Sequence, residues 1–335
     1  LVFDRPAVSP LPGPPDLDAI YAPVVDGLAR VESRLTELGE GKFSYLTEPL
    51  DHMLESIGKM MRPAVTLLSA GFHPNDGKHA EIMAGAVELL HIATLIHDDT
   101  VDDSDLRRGR ATVANLWGRD AAVVVGDYIF AASATFVCDT GNVRVIRRFA
   151  ETIMELSKGQ LYEMANAYSP EQDIKAYLDR IYNKTASLFA TAAESGAVLS
   201  GTDEPTVQAL RDYGYNLGMA FQIFDDILDV RGSREKIGKP VGNDLLQGVV
   251  TLPVLTYMKR NPGDTSVADF FNNPEDRDPA ARVIEAARAP EIIYEACAFA
   301  HEMCEKAREA LSPLPDVPER QSLLGLVDYV IARDR

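Results

Sequence analysis

Residues 95–110, LIHDDTVDDSDLRRGR, carry five aspartates and three arginines at the end of a nearly uncharged run. On a helix Asp98 and Asp102 are four residues apart and Asp99 and Asp102 three apart, so the three carboxylates crowd one side of a single turn. Like charges at that spacing repel, and the repulsion grows with burial unless a cation neutralises it. FQIFDDILDV, residues 221–230, repeats the arrangement with Asp225, Asp226 and Asp229 among Phe221, Ile223, Phe224, Ile227, Leu228 and Val230. An acidic run is ordinarily a solvated helix face. Two such clusters on apolar helices instead suit a hard divalent cation with oxygen ligands and retained waters, as Mg²⁺ prefers, and Mg²⁺ commonly arrives with phosphate.

Cationic residues occur beside turn signals. GKMMRP places Lys59 and Arg62 between Gly58 and Pro63, where a turn leads into a helix start. DLRRGR supplies Arg107 and Arg108, NKTASL supplies Lys184 and Thr185, and IGKP supplies Lys239 ten residues past Asp229. Arginine forks suit bidentate phosphate contacts. Taken singly, each of these is an ordinary surface charge. His91 lies seven residues before Asp98, two helical turns away on the same face, which favours a ligand role over that of a satisfied core histidine.

The elements that must carry these groups are helical. From Leu17 onward apolar residues recur at three- and four-residue intervals, as in Ile82, Val87, Leu90, Ala93, Thr94 and Ile96. Breakers cluster briefly at 73–78, 201–205, 261–264 and 272–276, with no sustained alternation of period two, no internal repeat and no linker between two cores. The expectation is one all-α domain over residues 17–335, a large helical bundle preceded by a flexible proline-rich arm at 1–16. The most apolar segments, 82–97, 121–137 and 217–230, are its natural central helices.

With 335 residues and 46% hydrophobic content the chain can bury a large core. A formal net charge of -18 leaves no basic field for nucleic acid, so a polyanion must be met locally or through bound metal. Cys138, Cys297 and Cys304 form neither a metal-ligand spacing nor an even disulfide set, and read as buried thiols of a cytoplasmic protein. No segment reaches eighteen or so uninterrupted apolar residues, so no membrane span is expected.

Both D-D-x-x-D clusters, GKMMRP, DLRRG, NKT, FQIFDD and IGKPVGNDL occur in this order, and the sequence thereby resembles the trans-prenyl diphosphate synthases, or polyprenyl synthetases, from about residue 17 to the terminal YVIARDR. The resemblance implies a deep central cavity with the two clusters facing each other, and three Mg²⁺ ions bridging them to the diphosphate of an allylic substrate. By motif position Asp98, Asp99, Asp102 and Asp225 would be metal ligands, with Asp226 and Asp229 supporting them. Arg107, Lys184, Thr185, Gln222 and Lys239 would hold the allylic diphosphate. Lys59, Arg62, His91 and Arg108 would hold isopentenyl diphosphate, with the C-terminal arginines closing the site. The family also implies a homodimer.

The implied chemistry is a 1'-4 head-to-tail condensation giving an all-trans polyprenyl diphosphate. In this family a large residue five or four places before the first aspartate ends chain growth early. Ala93 and Thr94 stand there, and the first cluster lacks the two-residue insertion of some twenty-carbon synthases, so a product of roughly thirty carbons or longer is expected. Phe130 and Phe136 are candidates for a deeper floor or for ordinary core aromatics. Two positions depart from the family pattern: Val249 stands where lysine is common, and GQLYE at 159–163 is unusual. These departures keep two rivals in view, a twenty-carbon geranylgeranyl diphosphate synthase and a weakly active regulatory subunit of a heteromeric enzyme. A terpene cyclase is a third, disfavoured by the intact second aspartate cluster.

Overall fold

The structure, a computed structural model, describes residues 15–38, 44–55, 58–232 and 241–332. The chain opens with α1 (Leu17–Tyr21), α2 (Val25–Glu37), α3 (Ser44–Leu54) and α4 (Met61–Ala70), which lead to α5 (Lys78–Val101). A two-stranded hairpin, β1 (Leu106–Arg107) and β2 (Arg110–Ala111), precedes α6 (Val113–Trp117), α7 (Arg119–Asp139) and α8 (Val143–Asn166). Then come α9 (Ile174–Ile181), a π-helical turn over Tyr182–Ala186, α10 (Ser187–Ser200) and α11 (Glu204–Arg231). Shorter helices follow, α12 (Asn243–Leu246), α13 (Leu252–Arg260), α14 (Ser266–Asn272) and α15 (Asp278–Ala287), before α16 (Pro290–Leu311) and α17 (Pro318–Ala332) close the bundle. The fold is all-α apart from the hairpin, which helical periodicity gave no sign of.

Helix starts follow from local chemistry. The Asp203 side chain accepts from the Thr206 N–H at 3.1 Å and Pro205 sits in the first turn of α11, while Asn142 caps α8 by accepting from Arg144 and Val145 N–H groups. α5 follows Gly77 at φ +73° and is buried along most of its length. Beside it, α4 and α11 both approach α10 closely because small residues line the crossings. A Cβ on Gly196 would overlap the Thr66 carbonyl oxygen of α4, and one on Gly214 would stand 2.5 Å from the Phe189 carbonyl oxygen. Gly196→Ala is therefore expected to destabilise the fold by about 2–3 kcal/mol through overpacking, read as a lowered urea midpoint with an unchanged slope.

Besides the main core, a smaller apolar cluster forms from Val230, Leu245, Val250, Val254, Phe270, Val283 and Ile292. It hangs on the last turn of α11 and thereby fixes the segment after the second aspartate cluster.

Two expectations change. Segment 121–137 is not central: in the 18-residue apolar window of α7 only 33% of residues are buried, against 78% in α5. Both helices are by length and composition apolar enough to cross a membrane, although neither is an uninterrupted apolar run; α5 earns its hydrophobicity as a core helix, while α7 leaves Val123 and Val124 exposed. Cys297 and Cys304 are buried as expected, but Cys138 is exposed, and all three are free thiols. The expected arm at 1–16 lies outside the described residues except for Pro15 and Asp16.

Candidate active site

The C-terminal half of α5, the hairpin, the π turn and α11 surround a cavity of about 810 Å³ that reaches Tyr329 of α17 at one side and Asn243 and Asp244 of α12 at the other. The first acidic cluster enters from the end of α5. Asp98 and Asp102 line the cavity. Asp99 does not: it is buried, its Oδ2 accepts from Arg107 Nε at 2.6 Å, and its Oδ1 has no hydrogen-bond partner. Helix geometry explains the split, because Asp98 and Asp102 share a face and Asp99 is turned about 100° from Asp98. Burial pushes the Asp98 carboxyl up to about 6, with Lys184 opposing and Asp102 adding to the rise.

The second cluster enters from α11. Asp225, Asp226 and Asp229 all line the cavity. Asp226 accepts from the Tyr177 hydroxyl at 2.7 Å and from Gln222 Nε2 at 2.8 Å. Asp229 accepts from the backbone N–H groups of Asn243 and Asp244 at 3.1 and 3.2 Å. Burial, and next the Asp244 charge, push Asp226 up to about 7 and Asp229 up to about 8. Carboxylates held this far above their usual range are short of positive charge.

The cations divide between two ends of the cavity. Near α11, the π turn widens the helix by one residue and brings Lys184 and Thr185 to the wall, a distortion found mostly at functional sites. Lys184 Nζ pairs with Glu163 of α8, and the Thr185 hydroxyl donates to Gln222 Oε1 at 2.6 Å. Near α4, Lys59 stands over the Tyr329 ring at 5.0 Å and the Arg62 guanidinium over the Phe189 ring at 4.5 Å. His91 faces this end; burial first, then the charges of Arg62, Arg108 and Arg107, keep its imidazole well below the usual range.

The hairpin links the two ends. Arg108 and Gly109 occupy its turn with φ +52° and +78°, the positive pair that a type I′ turn requires. Arg107 reaches back to Asp99, while the Arg108 guanidinium approaches Gly58, whose Cβ position lies 2.6 Å from Nη1. Adjacent residues thereby take different partners, Arg107 the first aspartate cluster and Arg108 the segment before α4.

Four charged lining residues were not singled out in the sequence. Glu88 sits one turn before His91 and faces Arg62 and Arg108; its i, i+3 spacing to His91 was the available signal. Glu163 occupies the unusual GQLYE motif, Asp244 the VGNDL segment, and Arg180 the last turn of α9. Lys239 and the C-terminal Arg333 and Arg335 lie outside the described residues.

Eight carboxylates and six cations from Lys and Arg line the cavity among the described residues, so the wall is net negative once all of them are ionised. A diphosphate would be repelled by that wall unless divalent cations were bound. The described residues hold no group of three or more His, Cys, Asp or Glu side chains arranged to hold a metal by themselves. That donor set fits Mg²⁺, which is held by one or two carboxylates together with waters and substrate phosphates rather than by an all-protein cage. The raised Asp98, Asp226 and Asp229, which line the cavity, fit the same need.

Residues 43–287 match the family model for polyprenyl synthetase. The chain belongs to the polyprenyl synthetase family. Heptaprenyl diphosphate synthase component 2 of Geobacillus stearothermophilus is 39% identical over 95% of this chain and 99% of that protein. Octaprenyl diphosphate synthase of Escherichia coli K12 is 32% identical over 96% and 100%. In structure, a polyprenyl synthase from Caulobacter crescentus CB15 complexed with calcium and isoprenyl diphosphate superposes with a TM-score of 0.91 at 30% identity, covering 97% of this chain and all of that one. The synthetase is a prenyltransferase that condenses prenyl units.

In this synthetase Ala93 does not line the cavity, contrary to expectation: it is fully buried, whereas Thr94 is on the wall with Ile92 and Leu95. Thr94 is four residues before Asp98 and shares its face, while Ala93 is rotated away by about 140°. Phe136 packs against Gly85 of α5 and is not a lining residue either.

Proposed function

We propose that this chain condenses an allylic diphosphate with isopentenyl diphosphate, 1' to 4, in a Mg²⁺-dependent reaction, and that its product has roughly thirty carbons or more. The observation that carries the reading is that both aspartate clusters and two separate sets of cations line one cavity. Asp98, Asp102 and Asp225 are the candidate Mg²⁺ ligands, with Asp99 orienting Arg107 and with Asp226 and Asp229 behind Asp225. Bound there, Mg²⁺ would neutralise the diphosphate and stabilise the charge it gains on leaving. Arg107, Lys184, Thr185, Gln222 and Lys239 orient the allylic diphosphate, and Lys59, Arg62, His91 and Arg108 hold the second one.

Orientation sets the chemistry. The allylic C1'–O bond breaks, its electron pair leaves with the diphosphate, and the isopentenyl C4 forms the new bond to C1'. A proton then leaves C2 for the released diphosphate. The apolar wall of Ile92, Thr94, Leu95, Phe189 and Phe221 excludes water from the cation. Residues 17–335 act in this as one catalytic domain, in the cytoplasm.

The test is chromatography of products from purified chain, Mg²⁺, farnesyl diphosphate and labelled isopentenyl diphosphate. Elongated products of thirty carbons or more are expected; a cyclised hydrocarbon or an arrest at twenty carbons overturns the reading. Thr94→Tyr, which puts a large side chain on the cavity wall one turn below Asp98, is expected to shorten the product by at least one five-carbon unit on the same chromatogram.

The exposed apolar residues of α7 and α8, Val124, Met154, Leu161 and Met164 among them, support a homodimer through this face. A second reading has one observation in its favour: the Geobacillus relative is by name one component of its enzyme. If the purified chain is silent and gains activity only with a second, different chain, the heteromeric reading holds and the homodimer does not.

A further inference from the structure

Resting on the reading of the cavity as a diphosphate site, we propose that Arg180 is a further binding residue for the allylic diphosphate, supplying from α9 the positive charge that the aliphatic Val249 does not.

Arg180 and Val249 line the same cavity. The Arg180 guanidinium is tethered beside Val249: Nη2 donates to the Val250 carbonyl oxygen at 2.8 Å, and Nη1 donates to Gln172 Oε1 at 3.3 Å. Its carbon lies 5.5 Å from the Tyr177 ring centre, and only 5% of the side chain is exposed. Burying a guanidinium costs several kcal/mol unless its charge is matched. The match at ion-pair distance is shared: among the described residues its carboxylate partner within 4 Å is Glu163, whose Oε2 is 3.8 Å from Arg180 Nε, while Oε1 of the same carboxylate takes Lys184 Nζ.

One carboxylate thus pairs directly with two cations on the wall that carries Lys184, Thr185 and Gln222, and the remaining charge of Arg180 acts at longer range on Asp226. An uncharged donor could pin the Val250 carbonyl without that penalty, so a purely structural tether does not explain a guanidinium here. An arginine has five N–H donors in a rigid fork. With single bonds from Nη1 and Nη2 committed to protein, the fork keeps donors for phosphate oxygens while its plane is held fixed. The spacing of four residues to Lys184 across the π turn brings the two cations together on Glu163, and so to one anion.

Steady-state kinetics with farnesyl diphosphate and isopentenyl diphosphate test this, using Arg180→Gln, Arg180→Met and the double variant Arg180→Gln with Val249→Lys. Glutamine keeps a donor for the Val250 carbonyl and methionine does not, so the pair separates charge from tethering. Both single variants are expected to raise KM for farnesyl diphosphate about tenfold with KM for isopentenyl diphosphate unchanged. Val249→Lys is expected to recover at least threefold of that loss. The proposal is overturned if Arg180→Gln keeps the parental KM for farnesyl diphosphate, if both KM values rise equally, or if the added lysine recovers nothing. Failure of the unmodified chain to elongate farnesyl diphosphate would instead sink the functional reading on which the proposal rests.

Discussion

Asp98→Ala is expected to lower kcat by roughly a thousandfold, the scale of losing a preorganised electrostatic contact to the leaving group. The residue stands where α5 meets the cavity, on the same face as Asp102 and His91, and its carboxyl is pushed up to about 6 by burial. A group so placed is costly to ionise in the empty cavity and favourable to ionise once divalent charge is present. The protein should therefore stay folded without it, and a thermal melt of the variant in chelator should match or exceed the parent. Asp103→Ala makes the control. It lies in the same acidic stretch, but its side chain is 84% exposed and pairs with Arg119 on the surface. Turnover of that variant should stay within about twofold, since exposed ion pairs contribute little. Equal losses in the two variants would mean that acidity of the segment, not position in the cavity, is what counts.

Stability of the metal-free protein should fall as pH rises. Asp226 and Asp229 are raised from 3.8 to about 7 and about 8, chiefly by burial and then by Asp244. Across the window from pH 4 to 8 the folded chain holds protons that the unfolded chain has released. Stability from these groups is therefore complete below about pH 4 and is lost as pH climbs through the folded values. In chelator, Tm is expected to drop by about 5–10 °C between pH 6 and 9. Mg²⁺ with pyrophosphate should oppose that drop, because divalent charge takes over from the protons. A Tm in chelator that is flat or rising with pH, or a slope that Mg²⁺ and pyrophosphate leave unchanged, would contradict this reading of the second cluster.

Much of the fold was legible because helical spacing is written in local sequence. α5 and α11 cover the apolar segments 82–97 and 217–230, and breakers at 73–78 and 201–205 stand at their starts. The hairpin was not legible: its two-residue strands are too short for a period, and the clue was the turn residue Gly109. Periodicity also misplaced α7, since an apolar composition does not tell how much of a helix its own chain covers.

Within the cavity, spacing of the acidic residues predicted one shared side for Asp98, Asp99 and Asp102; the structure brings Asp98 and Asp102 together with Asp225, Asp226 and Asp229 and leaves Asp99 out. It could not tell that Asp99 turns toward Arg107 or that Thr94, not Ala93, meets the cavity. Both depend on a rotation of about 100° per residue relative to a cavity whose direction only tertiary packing fixes. Arg180, Glu163 and Glu88 were passed over because buried charges become recognisable only through their partners, which come from distant elements.

The most direct test is calorimetric binding of a non-reactive allylic diphosphate analogue with and without Mg²⁺, to the parent and to Asp98→Asn with Asp225→Asn. Mg²⁺ should tighten binding to the parent at least a hundredfold, about 2.7 kcal/mol, and should do nothing for the double variant. Tight binding to the parent in chelator, or an undiminished Mg²⁺ effect in the double variant, would show that the two acidic clusters do not grip the diphosphate through metal.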